Sequence, residues 1–262
     1  MSFLAILIHL TPKQKTLPLT TEAGEYAHAA IVRTLSNTNP EMAQNLDKMA
    51  RHKCFTIAIL PPNSQHQNTL RVTFWGQEGQ MYVHTLLDAF KSYPEIELKQ
   101  NRYEVSEINL TDAEWGGSCN LLDLTGERGA YFHFIFVTPT AITKQNRHGK
   151  KFVELLPQPI DIFSGLAKRW IAIGGKPLPN AFEQFLQEGG CVISQIQHLE
   201  TRLFHTTERT QIGFIGSLTY SCLEKLPVYQ EALSQLTRLA FFTGVGYQTT
   251  RGMGLVKTRV RL

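Results

Sequence analysis

Four glycines near the carboxyl end of the chain have a spacing that suits the binding of phosphate. Gly244 and Gly246 form one Gly-x-Gly pair, and Gly252 and Gly254 form another. Glycine accepts positive φ and lets a foreign backbone approach closely, and successive exposed amides can bind an anion. A dinucleotide-binding loop needs a strand before it, a helix after it and an acid about 20 residues further on. Only eight residues, none acidic, follow Gly254. The pattern favours the phosphates of a polymer, and a turn that merely joins a helix to the last strand is the alternative.

Histidine is the side chain best suited to act as a general base or acid near neutral pH. The chain has nine: His9, His28, His52, His66, His84, His133, His148, His198 and His205. A small-molecule nucleotide enzyme would also need a pocket of acidic residues for a metal ion or a ribose. No pair of acidic residues has a spacing suited to that purpose, so this class is disfavoured.

Basic residues concentrate in two segments of the second half that contain no acid. The net charge is only +4, so the distribution is more informative than the total. One segment lies between Glu127 and Glu154, and the other follows Glu231. Such segments predict a phosphate-binding face, with solvated charge as the alternative. Their cations are Arg128, Lys144, Arg147, Lys150 and Lys151, then Arg238, Arg251, Lys257, Arg259 and Arg261.

Composition places the chain among globular proteins, since 42% of its residues are hydrophobic and 18% are charged. Its four cysteines form no C-x-x-C pair and are expected to be core residues or free thiols. The apolar amino terminus lacks a basic start and a small-residue cleavage site, so it is expected to be a strand. No apolar run approaches the length of about 18 residues that spans a membrane. We therefore expect a cytoplasmic protein.

The elements that must position these residues follow one order twice. In the first half, strands are predicted over residues 3–10, 54–60, 70–75 and 103–110, and helices over 21–35, 40–49 and 80–92. A turn is expected at 76–79. In the second half, strands and helices again alternate roughly as βαββαβ, with a basic hairpin over 140–155. This pattern predicts an α+β protein with two tandem ferredoxin-like (RRM-like) domains. The predicted domains are residues 1–127 and residues 128–262, the second of which contains the glycine-rich loop.

At this point the chain resembles the CRISPR-associated endoribonucleases of the sixth CRISPR-associated family, in the repeat-associated mysterious protein superfamily. The resemblance rests on blocks that occur in the family's order and span nearly the whole chain. They are residues 36–56, Thr138-Pro139-Thr140, Leu156-Pro157-Gln158-Pro159, residues 163–170, Gly213-Phe214-Ile215-Gly216, Gly244-Val245-Gly246 and Arg251-Gly252-Met253-Gly254.

The resemblance implies an enzyme that cuts CRISPR precursor RNA within its repeats and needs neither metal nor cofactor. The 2′-OH of the RNA would attack the adjacent phosphate, leaving a 2′,3′-cyclic phosphate and a 5′-OH. The implied partner is CRISPR repeat RNA. A CRISPR effector complex and a homodimer are further possible assemblies, and no membrane is involved.

The family places its active site between the first helix and the glycine loop. This implies His28 and His52 as base or acid, and Lys53 as the cation that stabilises the transition state. For RNA binding, the resemblance and the charge pattern together nominate the hairpin cations and the loop; Lys168 is a neighbouring candidate. These RNA-binding residues are Lys144, Arg147, Lys150, Arg169, Gly244, Gly246, Arg251, Gly252 and Gly254.

A non-catalytic RNA-binding subunit of a CRISPR effector complex is the alternative function. Several archaeal relatives have a tyrosine at about Val32 and a catalytic histidine at about Asp47, and this chain has neither. Their absence favours the binding subunit, whereas two histidines near the first helix favour the enzyme. His148, at the tip of the basic hairpin, is expected to contact RNA and not to do chemistry.

Overall fold

The computed structural model describes residues 2–48, 54–63, 66–207 and 210–262. These residues form two compact units. The first unit is Met1–Asn120 together with Thr249–Gly252, and the second is Leu121–Gln248 together with Met253–Leu262. A short piece of the glycine-rich segment therefore belongs to the first unit, while its flanks belong to the second. The predicted domain division between residues 127 and 128 stays a prediction.

The first unit is one antiparallel sheet with helices packed on it. The strands lie in the order β2-β3-β1-β5-β4, and β6 also pairs with β1. A 3-10 turn, Thr21–Ala23, leads into the first helix. The elements are β1 (Ser2–Pro12), α1 (Gly24–Thr38), α2 (Pro40–Lys48), β2 (Phe55–Ile59), β3 (Thr69–Trp75), α3 (Gly76–Ser92), β4 (Glu95–Leu98), β5 (Asn101–Asn109) and β6 (Gly117–Asn120).

Helix α1 is held to this unit by an apolar face. Ala27, Ile31 and Leu35 recur every four residues and are buried, which is the pattern of a helix that packs on a core. Strands β2 and β3 are buried along their whole length, as expected of strands covered on both faces. His28 follows Ala27 directly, so the packing of α1 also carries this histidine into the interior.

The second unit has a sheet with strand order β10-β11-β7-β12 and a separate hairpin of β8 and β9. Phe132, Phe134 and Phe136 alternate along β7 and are buried, and rings of Phe163 and Tyr220 pack edge-on against them. The elements are β7 (Tyr131–Thr140), β8 (Ile142–Gln145), β9 (Lys151–Glu154), α4 (Pro159–Ala172), α5 (Phe182–Gln187), β10 (Cys191–His205), β11 (Thr210–Cys222), α6 (Pro227–Thr243) and β12 (Val256–Arg261).

Both units share one topology. In the first unit, β1 lies between β3 and β5, and β2 pairs with the other side of β3. In the second unit, β7 lies between β11 and β12, and β10 pairs with the other side of β11. All of these pairs are antiparallel. This is the ferredoxin-like arrangement, so the predicted α+β fold class is confirmed. In the described part of the chain, no helix combines the length and apolarity needed to cross a membrane.

Candidate nucleic-acid interface

His28 has a fixed orientation inside the first unit. Only 7% of the residue is exposed. Its Nδ1 lies 2.9 Å from the backbone oxygen of Thr250, and its ring stacks on Phe55 with centroids 5.7 Å apart. A carbonyl oxygen can only accept, so Nδ1 carries a hydrogen, and in the neutral ring the lone pair that can take a proton is on Nε2. The arrangement suits a general base that is oriented from two sides.

The turn that supplies the Thr250 oxygen is pressed against the start of α1. Thr249–Arg251 form a 3-10 turn, and Gly252 follows it. A Cβ added to Gly24 would lie 2.4 Å from the Cα of Gly252, so the two backbones touch. Gly252 also has φ of +97°, which disfavours any residue with a side chain. Gly252 therefore has a reason within the protein to be glycine.

Arg251 is the predicted loop cation, and the structure places it beside the first turn of α1. Its Nη1 lies 3.4 Å from Oε1 of Glu25. The arginine side chain keeps about a third of its exposure, so this ion pair is partly solvated and weak. The structure therefore brings together two of the predicted residues. His28 of α1 binds the oxygen of Thr250, and the next residue, Arg251, pairs with Glu25 of α1.

The other two predicted catalytic residues, His52 and Lys53, lie outside the described residues. Their predicted roles stay predictions. The sequence did not indicate Thr250, Phe55 or Glu25 as parts of the site. A backbone oxygen and a stacked ring carry no motif, and only the tertiary structure could identify them.

The glycine loop of the second unit, residues 243–248, is tied down through its own backbone. The amide of Val245 donates to Gly254, and the amide of Tyr247 donates to Ala141. A Cβ on Gly246 would lie 2.6 Å from the oxygen of Ala141, and this glycine has φ of +82°. Among the residues that the structure describes, the Gly246 amide itself has no protein acceptor. Within residues 244–247 it is the one amide for which the described residues offer no acceptor, and the predicted anion-binding role of the loop stays a prediction.

Arg169 of α4 lies under the same loop. Its Nη1 donates to the oxygens of Thr243 at 2.6 Å and Gly244 at 2.8 Å, and its Nη2 donates to that of Gly246 at 2.5 Å. Burial lowers the pKa of the guanidinium to about 10, which still leaves it charged at neutral pH. The sequence predicts that Arg169 contacts RNA; the structure places its donors on protein carbonyls.

The basic hairpin has an ordered tip. The side-chain oxygen of Asn146 accepts the amides of His148 at 2.9 Å and Lys150 at 3.0 Å. The side chains of Arg147, His148, Lys150 and Lys151 are exposed around this turn. Exposed cations on a turn held by these hydrogen bonds are suited to the phosphates of an RNA stem.

Lys144, at the base of the hairpin, differs from the tip cations because it has carboxylate partners. Its Nζ lies 2.7 Å from Asp161 and 3.3 Å from Glu154. Burial lowers its pKa, but these two carboxylates outweigh that effect and hold the pKa above its ordinary value. Its predicted contact with RNA stays a prediction, and any such contact would have to compete with these ion pairs.

Within the described ranges, no group of three or more His, Cys, Asp or Glu side chains is placed to hold a metal ion.

Comparisons with known proteins bear on the family and the fold. The family model for the CRISPR-associated endoribonuclease Cas6 matches residues 134–256. No curated protein matches the chain significantly in sequence. A product complex of a Thermus thermophilus Cas6 is 26% identical, with a TM-score of 0.85 over 98% of this chain and 99% of that one. Another structure of that protein is 25% identical, with a TM-score of 0.78 over 98% of each chain. A product complex of a further Cas6 is 21% identical, has a TM-score of 0.76 over 99% and 100%, and bears on the fold alone.

Proposed function

Since the predicted resemblance to the CRISPR-associated endoribonuclease Cas6 family is confirmed, we propose that this protein is an endoribonuclease that cuts CRISPR repeat RNA. The observation that carries the proposal is the environment of His28. A buried imidazole is oriented by the Thr250 oxygen and the Phe55 ring, next to the turn that bears Arg251.

In the proposed reaction, Nε2 of His28 removes the proton of the 2′-OH on the 5′ side of the cut. The 2′ oxygen then bonds to phosphorus, and the bond from phosphorus to the 5′ oxygen breaks. A second group returns a proton to that oxygen, so the products end in a 2′,3′-cyclic phosphate and a 5′-OH. The nucleophile is already next to its target, so the proposed reaction uses no metal ion.

His52 is proposed as the acid that protonates the leaving oxygen, since the family's pattern puts it in the same connection as Lys53. Lys53 and Arg251 are proposed to balance the negative charge that builds on phosphate in the transition state. The exposed cations of the hairpin are proposed to bind the RNA backbone. Phosphate contacts of this kind add affinity but carry no sequence information.

The alternative, a non-catalytic RNA-binding subunit, keeps one supporting observation. Val32 and Asp47 stand where some archaeal relatives have the tyrosine and the catalytic histidine. The alternative predicts tight binding of repeat RNA with no cleavage.

The test is cleavage of repeat RNA in EDTA, followed by analysis of the ends. We expect a cyclic phosphate that acid opens, a 5′ end that a kinase can label directly, and full activity without metal. His28→Ala should lose cleavage, while His84→Ala, which removes an exposed histidine from α3, should keep it. Wild-type protein that binds the RNA but never cuts it would establish the alternative.

A further inference from the structure

We infer that Arg169 is a positioning residue of the RNA-binding site, which acts by binding the carbonyl oxygens of the glycine loop and not by touching RNA. The inference rests on the proposed function, because it assigns a role within the binding of repeat RNA. It also departs from the sequence-based expectation that this arginine contacts RNA directly.

The first argument is where the donors of Arg169 point. Two nitrogens of the guanidinium are used on the oxygens of Thr243, Gly244 and Gly246. Among the described residues, these oxygens are its partners and no carboxylate pairs with it. A planar fork of donors can hold several acceptors at once in a fixed geometry, which the single ammonium of lysine cannot reproduce.

The second argument is which peptide units the arginine fixes. The oxygens of Gly244 and Gly246 belong to the peptide units on either side of the one that joins Val245 to Gly246. That middle unit carries the Gly246 amide, which has no protein acceptor within the described residues. Fixing both neighbours leaves this N–H in one orientation, which is what an anion site built from backbone requires.

The third argument is electrostatic. Thr243 ends α6, and its oxygen lies at the negative end of the helix dipole, where a cation is favourable. Carbonyl oxygens in the loop would repel an approaching phosphate. Arg169 donates to these oxygens, and its positive charge has no carboxylate partner among the described residues. The Gly246 amide thus lies in a loop whose carbonyl oxygens are bound by a positive charge.

The experiment compares Arg169→Gln, which removes the charge, with Arg169→Lys, which keeps the charge but loses the fork. Lys176→Gln is the control, since it removes an exposed cation just after α4 in the same unit. For each we would measure amide hydrogen exchange over residues 244–254, the dependence of RNA affinity on salt, and the single-turnover rate at saturating RNA.

For Arg169→Gln we expect faster exchange in the loop and at least tenfold weaker RNA binding. The slope of log K against log salt should not change, because the arginine releases no counterion. Arg169→Lys should recover part of the affinity. A direct phosphate contact would instead lower the slope by about 0.7–0.9 and leave the exchange unchanged. Either that result, or affinity within twofold of wild type, overturns the inference.

If Arg169→Gln does not fold, the same three measurements on Arg169→Lys test the inference. If the wild-type protein binds repeat RNA but does not cut it, the proposed endoribonuclease activity fails. The exchange and the salt slope then still decide the role of Arg169.

Discussion

A single buried imidazole shows how far residue types alone can be interpreted. The resemblance to a family selected His28 from nine histidines, and the structure gives it a carbonyl partner and a stacked ring. The residue that supplies the carbonyl lies 222 positions away along the chain. No local pattern encodes such a contact, because any residue has a backbone oxygen and the side chain of Thr250 is irrelevant to it. The choice of His28 as a candidate could be predicted from the sequence, whereas the orientation of its ring could not.

His28→Ala is expected to slow single-turnover cleavage of repeat RNA by about 10² to 10⁴ because it removes the proposed base. RNA affinity should stay within about threefold, since the imidazole is buried and its Nδ1 is used on the Thr250 carbonyl. Gel-based rates at saturating RNA, with a separate filter-binding measurement, check both parts. If affinity and rate fall equally, the role of His28 is in RNA binding and not in catalysis.

Arg251→Ala is expected to fold normally and to bind repeat RNA less well, because it removes a partly exposed cation and leaves the turn intact. Its ion pair with Glu25 is partly solvated, so losing it should cost at most about 1 kcal/mol of stability. Glu25→Gln is the matched variant, since it breaks the same pair and keeps the cation. If Arg251 acts on RNA, only the arginine variant weakens binding; if both variants behave alike, the pair has a structural role.

At the scale of elements, most strands and helices were predictable from alternation and apolar spacing. The structure corrects the turn expected at residues 76–79, because α3 begins at Gly76. Glycine there, with φ of +81°, starts the helix directly from β3, and glycine was interpreted as a helix breaker. The short strand β4 and the short helix α5 were not predicted. Their four and six residues are too few to establish a period.

The glycine loop illustrates a second limit at this scale. Glycine was attributed to the approach of RNA, but Gly246 and Gly252 each meet protein backbone. We therefore expect Gly246→Ala to lower stability, because its φ disfavours a side chain by about 1–2 kcal/mol and its Cβ would crowd the oxygen of Ala141. Calorimetry should show a melting temperature lower by several degrees. If the variant is as stable as wild type but no longer binds RNA, then residue 246 is glycine because RNA approaches it.

The basic hairpin should separate into a tip that binds RNA and a base that supports the fold. Replacing Arg147 and Lys150 by glutamine should weaken binding to stem RNA and lower the salt slope by about 0.7–0.9 for each lost contact. Lys144→Gln should change the slope less and lower the melting temperature more, because it leaves Asp161 without its cation. Equal salt slopes for the tip variant and wild type would contradict this division.

At the scale of the whole molecule, the distant segment Thr249–Gly252 is part of the first unit. The sequence predicted two consecutive domains, since one βαββαβ order of elements occurs twice along the chain. It could not predict that a few residues near the carboxyl end return to the amino-terminal unit. The segment contacts α1 at Gly24, Glu25 and His28, and no local pattern of the sequence encodes these contacts.

A fragment of residues 1–120 is therefore expected to be less stable than the same fragment joined by a flexible linker to residues 247–254. The added segment restores the contact with Gly24 and the acceptor for His28. The melting temperatures of the two fragments, measured in parallel, check the expectation. A linked fragment that carries serine at both Gly24 and Gly252 is the control and should show no gain. Equal melting temperatures for all three would show that the segment adds nothing to the unit.

The hydrogen bond between His28 and Thr250 also limits when the site can form during synthesis of the chain. Ribosomes add about 5–20 residues per second, so the 222 residues between the two partners take roughly 10 to 45 s to synthesise. During that interval α1 can fold, but its histidine has no Thr250 to bind. A growing chain near its own messenger therefore holds an unfinished site, and His28 gains this hydrogen bond only after Thr250 has been synthesised.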